Sequence, residues 1–321
     1  MYNRGCELCH QGAKMVVFVT GRCHRGCWYC PISADRSGGD AIFANDRRVE
    51  REEEILMEGE TMSALGSSIT GGEPLLVLDR VVRICGMLKE HFGRDHHIHL
   101  YTGMATGPET LSALRGVVDE IRMHPPEDHW PSILGSPFLR SVDTAREMGF
   151  TAGFEVPSLP GMDRLAPALP HLDFLNVNEL EWGDISAAEM RRRGYVPSDA
   201  LHNAVRGAHT WAQAIRKQPK VHWCTSASKD GIQLRERLKR IARNTARPFD
   251  EITEDGTVIY GVVEGAPAAA GSLSPGRFAS VDDRLECSPR ELRRIHRRIP
   301  GKKYIVERYP NRGVVVEVTP L

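Results

Sequence analysis

The sequence has no apolar run of the length a membrane span needs, no surplus of either charge, and few aromatic residues. A spanning helix takes about 20 consecutive apolar residues, so no membrane partner is expected. Arg4, Cys6 and Cys9 stand where an exported chain would carry the apolar part of a leader, which predicts a cytoplasmic location. Lysine plus arginine equals aspartate plus glutamate at 42 each, so net charge names neither nucleic acid nor membrane as a partner. Any such partner has to be argued from a local surface.

What is present is a chain of 321 residues with 41% hydrophobic and 26% charged residues, the proportions of a globular protein with a full core. Its eight cysteines fall at short spacings without a secretory context. That pattern favours metal or cluster ligation over disulfides.

Three of them, Cys23, Cys27 and Cys30, stand at C-x3-C-x2-C directly after an apolar run, Met15 to Thr20, that reads as a buried strand. Three thiolates on a short loop can bind three irons of a [4Fe-4S] cluster and leave the fourth iron open to a small chelating ligand. The same cysteines could instead build a zinc site. A second motif, Thr70-Gly71-Gly72-Glu73-Pro74, follows one helix-length segment later, where a short strand breaks into two glycines. Together, with Tyr29 as the aromatic residue inside the cysteine motif, these elements resemble the radical S-adenosylmethionine (SAM) superfamily. In detail they resemble relatives of the pyruvate formate-lyase activating enzyme, in an uncharacterised archaeal-type group.

The resemblance implies an α/β fold, a partial (β/α)6 barrel of the radical SAM type with a small α+β C-terminal domain. Hydrophobic periodicity agrees: strand and helix patterns alternate six times between residue 15 and about 177, as parallel strands with crossovers do. Val49 to Ala64 reads as the first crossover helix, and Asp40 to Asp46 as a cap over the site. Residues 1–14 read as a Cys6-x2-Cys9 knuckle on a loop, 15–180 as the barrel, 181–245 as a helical extension with a Cys224 element and a helix from Ala200 to Lys217, and 246–321 as a basic α+β domain.

The resemblance also implies site residues. Cys23, Cys27 and Cys30 would hold the [4Fe-4S] cluster; Glu73 and the Gly71-Gly72 backbone would help hold the methionine amine of SAM; Tyr29, Pro74, Thr102 and Glu155 complete the expected cofactor-binding set. Cys6, Cys9 and Cys224, with His10 and His222 as imidazole options, are candidates for a second centre, iron-sulfur or zinc. A one-electron donor protein is the implied partner. Arg290, Arg293, Arg294, Arg297 and Arg298 on a late helix offer a surface for an RNA or protein substrate. Activating enzymes carry Asp-x-Lys after a middle strand where this chain has Arg122-Met123-His124, so glycyl-radical activation does not follow from the sequence. A cobalamin-binding Asp-x-His-x2-Gly is also missing. Two other classes use the same cysteines: a zinc-containing RNA-binding protein and an iron-sulfur electron carrier. Neither has a use for Thr70 to Pro74.

Overall fold

Residues 3–200, 202–311 and 313–321 are described by a computed structural model of the chain. The order of elements is α1 (Arg4–His10), β1 (Lys14–Phe18), β2 (Ile42–Ala44), β3 (Arg47–Val49), α2 (Glu53–Thr61), β4 (Gly66–Thr70), α3 (Leu78–Phe92), β5 (His97–Thr102), α4 (Pro108–Leu114), β6 (Glu120–Met123), α5 (Pro137–Glu147), β7 (Thr151–Pro157), β8 (Leu175–Asn178), α6 (Ala187–Arg192), α7 (Ala208–Ala212) and β9 (Val221–Cys224). These strands form one sheet in the order β3-β2-β1-β4-β5-β6-β7-β8-β9. All pairs from β1 to β9 along that path are parallel, while β2 and β3 add an antiparallel hairpin at the β1 edge.

The parallel strands carry apolar residues because helices cover the sheet. Met15, Val17, Ile69, Ile98, Leu100, Ile121, Phe154 and Val177 are fully buried, and each large side chain of this kind contributes roughly 1.5–3 kcal/mol. Helix α3 buries Val81, Ile84, Cys85 and Leu88, spaced three and four apart as one helix face requires. Helix α5 starts where Ser136 accepts from the Leu139 N–H and Pro137 occupies the first turn. Cys85 is therefore core, as its place on the α3 stripe predicts.

Several elements differ from the sequence expectation. Residues 42–44 and 47–49 pair as a hairpin, so the site cap is partly strand and the helix begins only at Glu53. The Cys6-x2-Cys9 segment is helix, not loop: Asn3 caps it by accepting from the Cys6 N–H at 2.8 Å. The helix expected from 200 to 217 is limited to Ala208–Ala212. Residues 221–224 are a seventh parallel strand, paired with β8.

Contacts divide the chain into residues 1–60 with 64–232, which hold this sheet, and residues 61–63 with 233–321. The latter unit contains α9 (Arg235–Thr245), β10 (Glu251–Ile252), β11 (Val258–Glu264), β12 (Phe278–Val281), β13 (Arg284–Cys287), α10 (Pro289–Ile295), β14 (Lys302–Arg308) and β15 (Val315–Pro320). A short helical turn, α8 (Ser226–Ser228), precedes it in the first unit. The second unit is an antiparallel sheet, β12-β13-β11-β14-β15, with β10 paired to β11. Val263, Leu285, Cys287, Leu292 and Ile305 pack into its core.

Candidate active site

The site is built where β1 and β4 end. Backbone bonds continue the pairing past both strands: Val19 N–H donates to Thr70 O at 2.9 Å, Gly72 N–H to Thr20 O at 2.7 Å and Glu73 N–H to Arg22 O at 2.8 Å. The two glycines are required by this approach. A Cβ on Gly71 would lie 2.6 Å from Thr20 O, and one on Gly72 would lie 2.4 Å from Arg22 O and 2.7 Å from Gly21 O. The loop leaving β1 is anchored at Asp40, which accepts from Thr20 Oγ1, Arg22 and Arg80, each at 2.8 Å. The Arg80 and Thr20 hydrogen bonds hold its carboxyl low, at about 2.

On that loop Cys23 is exposed and Cys27 and Cys30 are half-buried. Burial pushes the Cys27 and Cys30 thiols up. All three border one cavity of about 520 Å³, together with Tyr29, Gly71, Gly72 and Glu73. Among the described residues no three His, Cys, Asp or Glu side chains are gathered closely enough to hold a metal ion, so the thiols face a shared space and do not form a closed shell. Three soft donors with no fourth, beside a glycine floor that a Cβ would fill, fit a cluster with one open iron and a small ligand lying over the glycines.

Glu73 is buried beneath this floor, and its carboxylate accepts from Thr102 Oγ1 at 2.7 Å, Gly103 N–H at 2.7 Å and Leu75 N–H at 3.1 Å. Pro74 opens the short helical turn that follows. Thr102, expected as a cofactor contact, acts here by orienting Glu73. Arg25 spans the loop to the ends of β5 and β6, donating to Gly103 O at 2.6 Å and His124 O at 3.2 Å.

Deeper in the cavity the walls are charged. Arg122 donates to Glu120 and to Glu155, both at 2.6 Å, and the Glu155 oxygens also accept from Asn176 at 3.0 Å and Asn178 at 2.9 Å. Burial alone would raise the Glu155 pKa, but Arg122 and then the Asn178 and Asn176 bonds more than offset it and hold the carboxyl below its usual range. Glu155 is thus a structural ion pair that also lines the cavity. Above it, His124 Nε2 lies 2.9 Å from Tyr29 Oη, and its Nδ1 lies 3.0 Å from both Tyr101 Oη and Glu155 O. Burial lowers the His124 pKa to about 4, so the ring is neutral.

On the far wall Lys229 Nζ meets Glu181 Oε1 at 3.1 Å. Burial would lower its pKa; Glu181, then Cys224, raise it by more, and the ammonium stays charged. Lys229 and Arg25 were not singled out as site residues from the sequence. Lys229 could have been found had residues 221–224 been read as a strand, because it follows that strand's carboxyl end.

The candidate second centre is not assembled. Cys6 and Cys9 lie on α1 against the amino-terminal ends of the strands, where a Cβ on Gly5 would meet Arg122, His99 and Glu120. The Cys6 thiol donates to Asn176 Oδ1 at 3.5 Å and accepts from Arg122 at 3.7 Å. Cys224 ends β9, at the other end of the sheet.

Comparison with known proteins agrees with this geometry. A protein of Methanocaldococcus jannaschii, named provisionally as a glycyl-radical enzyme activating enzyme, is 33% identical over 346 aligned positions, covering 99% of this chain and 92% of its own. The Radical SAM superfamily profile matches residues 17–127. The chain belongs to the radical SAM superfamily. It is therefore an enzyme, and the family implies SAM, an iron-sulfur cluster and SAM-dependent radical chemistry. Residues 256–321 match a domain of unknown function (DUF8061). Among solved structures, Streptococcus suis SuiB bound to S-adenosylmethionine is 12% identical with a TM-score of 0.43, covering 66% of this chain and 50% of its own. The radical SAM methyltransferase TsrM of Kitasatospora setae is 12% identical with a TM-score of 0.40, covering 78% and 56%. This radical SAM chain spans about half the length of those two proteins.

No helix among the described residues is long and apolar enough to cross a membrane.

Proposed function

We propose that Cys23, Cys27 and Cys30 hold a [4Fe-4S] cluster whose fourth iron takes the amino and carboxylate groups of SAM, and that the enzyme abstracts hydrogen from a substrate placed in the deeper cavity. The observation that carries this reading is the shared cavity: three thiols on one side, and on the other a Gly71-Gly72 floor that admits no Cβ. When bound, the pair supplies reductive cleavage of the SAM sulfonium to methionine and a 5′-deoxyadenosyl radical, with one electron from a donor protein.

The chain's own part is positioning and exclusion of water. Glu73, fixed by Thr102 and Gly103, presents a carboxylate beneath the glycines where the methionine amine would lie. Arg25 ties the cysteine loop to the ends of β5 and β6. Asn178, Glu181 and Lys229 line the wall away from Gly71 and Gly72, a polar compartment for the substrate.

The relative's name favours a second reading for the substrate, a glycine of another protein. The two differ in whether a macromolecule or a small molecule donates hydrogen.

Anaerobic reconstitution of the wild type and of Cys23→Ala, Cys27→Ala and Cys30→Ala tests the ligand set. Four irons per chain and a reduced-cluster electron paramagnetic resonance (EPR) spectrum altered by SAM are expected for the wild type, with loss in every variant. Retention of the full signal in any one variant would contradict the assignment.

A further inference from the structure

His124 stands at the end of β6, buried and neutral, with three hydrogen-bonding groups around its two ring nitrogens. The proton's place follows from those partners. Glu155 O is a carbonyl and can only accept, and it lies 3.0 Å from Nδ1. A deprotonated Nδ1 would set two lone pairs against each other there, in a site without competing water. Nδ1–H therefore donates to Glu155 O, and Tyr101 O–H, 3.3 Å from the same carbonyl, donates to its second lone pair. That leaves Nε2 as an acceptor, and the one group within reach to serve it is Tyr29 O–H at 2.9 Å.

Tyr29 sits between Cys27 and Cys30 on the cluster loop, and its hydroxyl is also a neighbour of the Cys27 sulfur. A phenol has one proton to give. If His124 takes it, Cys27 receives none.

We propose that His124 is a positioning residue that holds the Tyr29 hydroxyl proton away from Cys27, so that this ligand reaches the cluster without a hydrogen bond from the phenol. Resting on the cluster assignment above, the inference deepens it. Hydrogen bonds to ligand sulfurs are among the factors that set iron-sulfur reduction potentials, because they stabilise the more negative reduced state. Withholding one keeps the potential low, the direction that reductive cleavage of a sulfonium needs. The arrangement is specific to this chain's Arg122-Met123-His124, since it requires an imidazole two residues after Arg122 with Glu155 O and Tyr101 to fix its tautomer.

The test compares midpoint potentials of the reconstituted cluster, without SAM, by EPR-monitored redox titration. Tyr29→Phe is expected to match the wild type, because the lost hydroxyl was not bonded to sulfur. His124→Leu is expected to shift the potential upward, as the freed hydroxyl turns to Cys27, and Tyr29→Phe in that background should restore it. A lower potential in Tyr29→Phe alone would overturn the proposal, since it would show a hydrogen bond to the cluster in the native enzyme. So would an unchanged potential in His124→Leu. A second measurement needs no cluster: imidazole ¹⁵N shifts of the apoprotein should report the Nδ1–H tautomer for His124, and an Nε2–H tautomer would refute it. Failure of the wild type to assemble a cluster would instead refute the ligand assignment on which this rests.

Discussion

Replacing Arg122 with methionine removes the one cation that lies between two buried carboxylates. The arginine side chain is 5% exposed, Glu120 1% and Glu155 14%, and the guanidinium bonds both at 2.6 Å. Methionine has similar length and no charge, so little packing is lost, while two carboxylates lose their counterion. Removing one partner of a buried pair costs about 3–5 kcal/mol, because the remaining charge is left uncompensated. The Arg122→Met variant should lose at least that much in urea unfolding near neutral pH. The sign of its pH dependence follows from Glu155. In the wild type its folded pKa is depressed by Arg122, so its stabilisation is present above the unfolded carboxylate value and is lost as pH falls through the folded one. Without Arg122, burial dominates and raises that pKa, so the variant's deficit should shrink as pH falls and the carboxyls protonate. Adding Glu155→Gln should recover part of the loss at neutral pH. A deficit under about 1 kcal/mol, or one that grows on acidification, would refute the reasoning.

Gly72→Ala places a Cβ 2.4 Å from a backbone oxygen of the cysteine loop. Such overpacking costs about 1–3 kcal/mol, and SAM affinity, read by equilibrium dialysis, should fall by more than tenfold. Lys14 has its pKa lowered to about 7 by burial. The unfolded chain therefore binds a proton that the folded one does not between about pH 7 and the ordinary lysine value, and stability should rise with pH across that window; Lys14→Met should flatten the rise, as urea midpoints at a series of pH values would show. Changing Cys6 and Cys9 together to alanine should leave iron and zinc per chain unchanged by elemental analysis, whereas a loss of either metal would place a second centre at α1.

The parts of this fold that were legible in the sequence are those with short-range causes. Cys23, Cys27 and Cys30 stand at fixed spacing on one loop, and Gly71-Gly72 mark a backbone approach that only glycine permits. Buried parallel strands such as Ile98 to Leu100 show as apolar runs. The hairpin of β2 and β3 was hidden because each strand has three residues and Arg47 and Arg48 resemble the polar start of the helix that follows. Strand β9 was hidden by His222 and the half-polar character of a sheet edge. The Arg122 network could not be read at all: Asn3, Cys6, Glu120, Glu155 and Asn176 are brought to it by topology, and a charged residue inside a strand carries no local sign of its partner. For the same reason His124 was legible as a strand-end residue, while its bond to Tyr29, 95 residues away, was not.

The most direct test of the central claim is formation of 5′-deoxyadenosine from SAM by the anaerobically reconstituted enzyme with a strong one-electron reductant, beside a Cys27→Ala control. The account predicts the nucleoside from the wild type alone. Equal product from Cys27→Ala, or none from wild-type protein that carries its cluster and binds SAM in the presence of a cell extract supplying substrate, would contradict it.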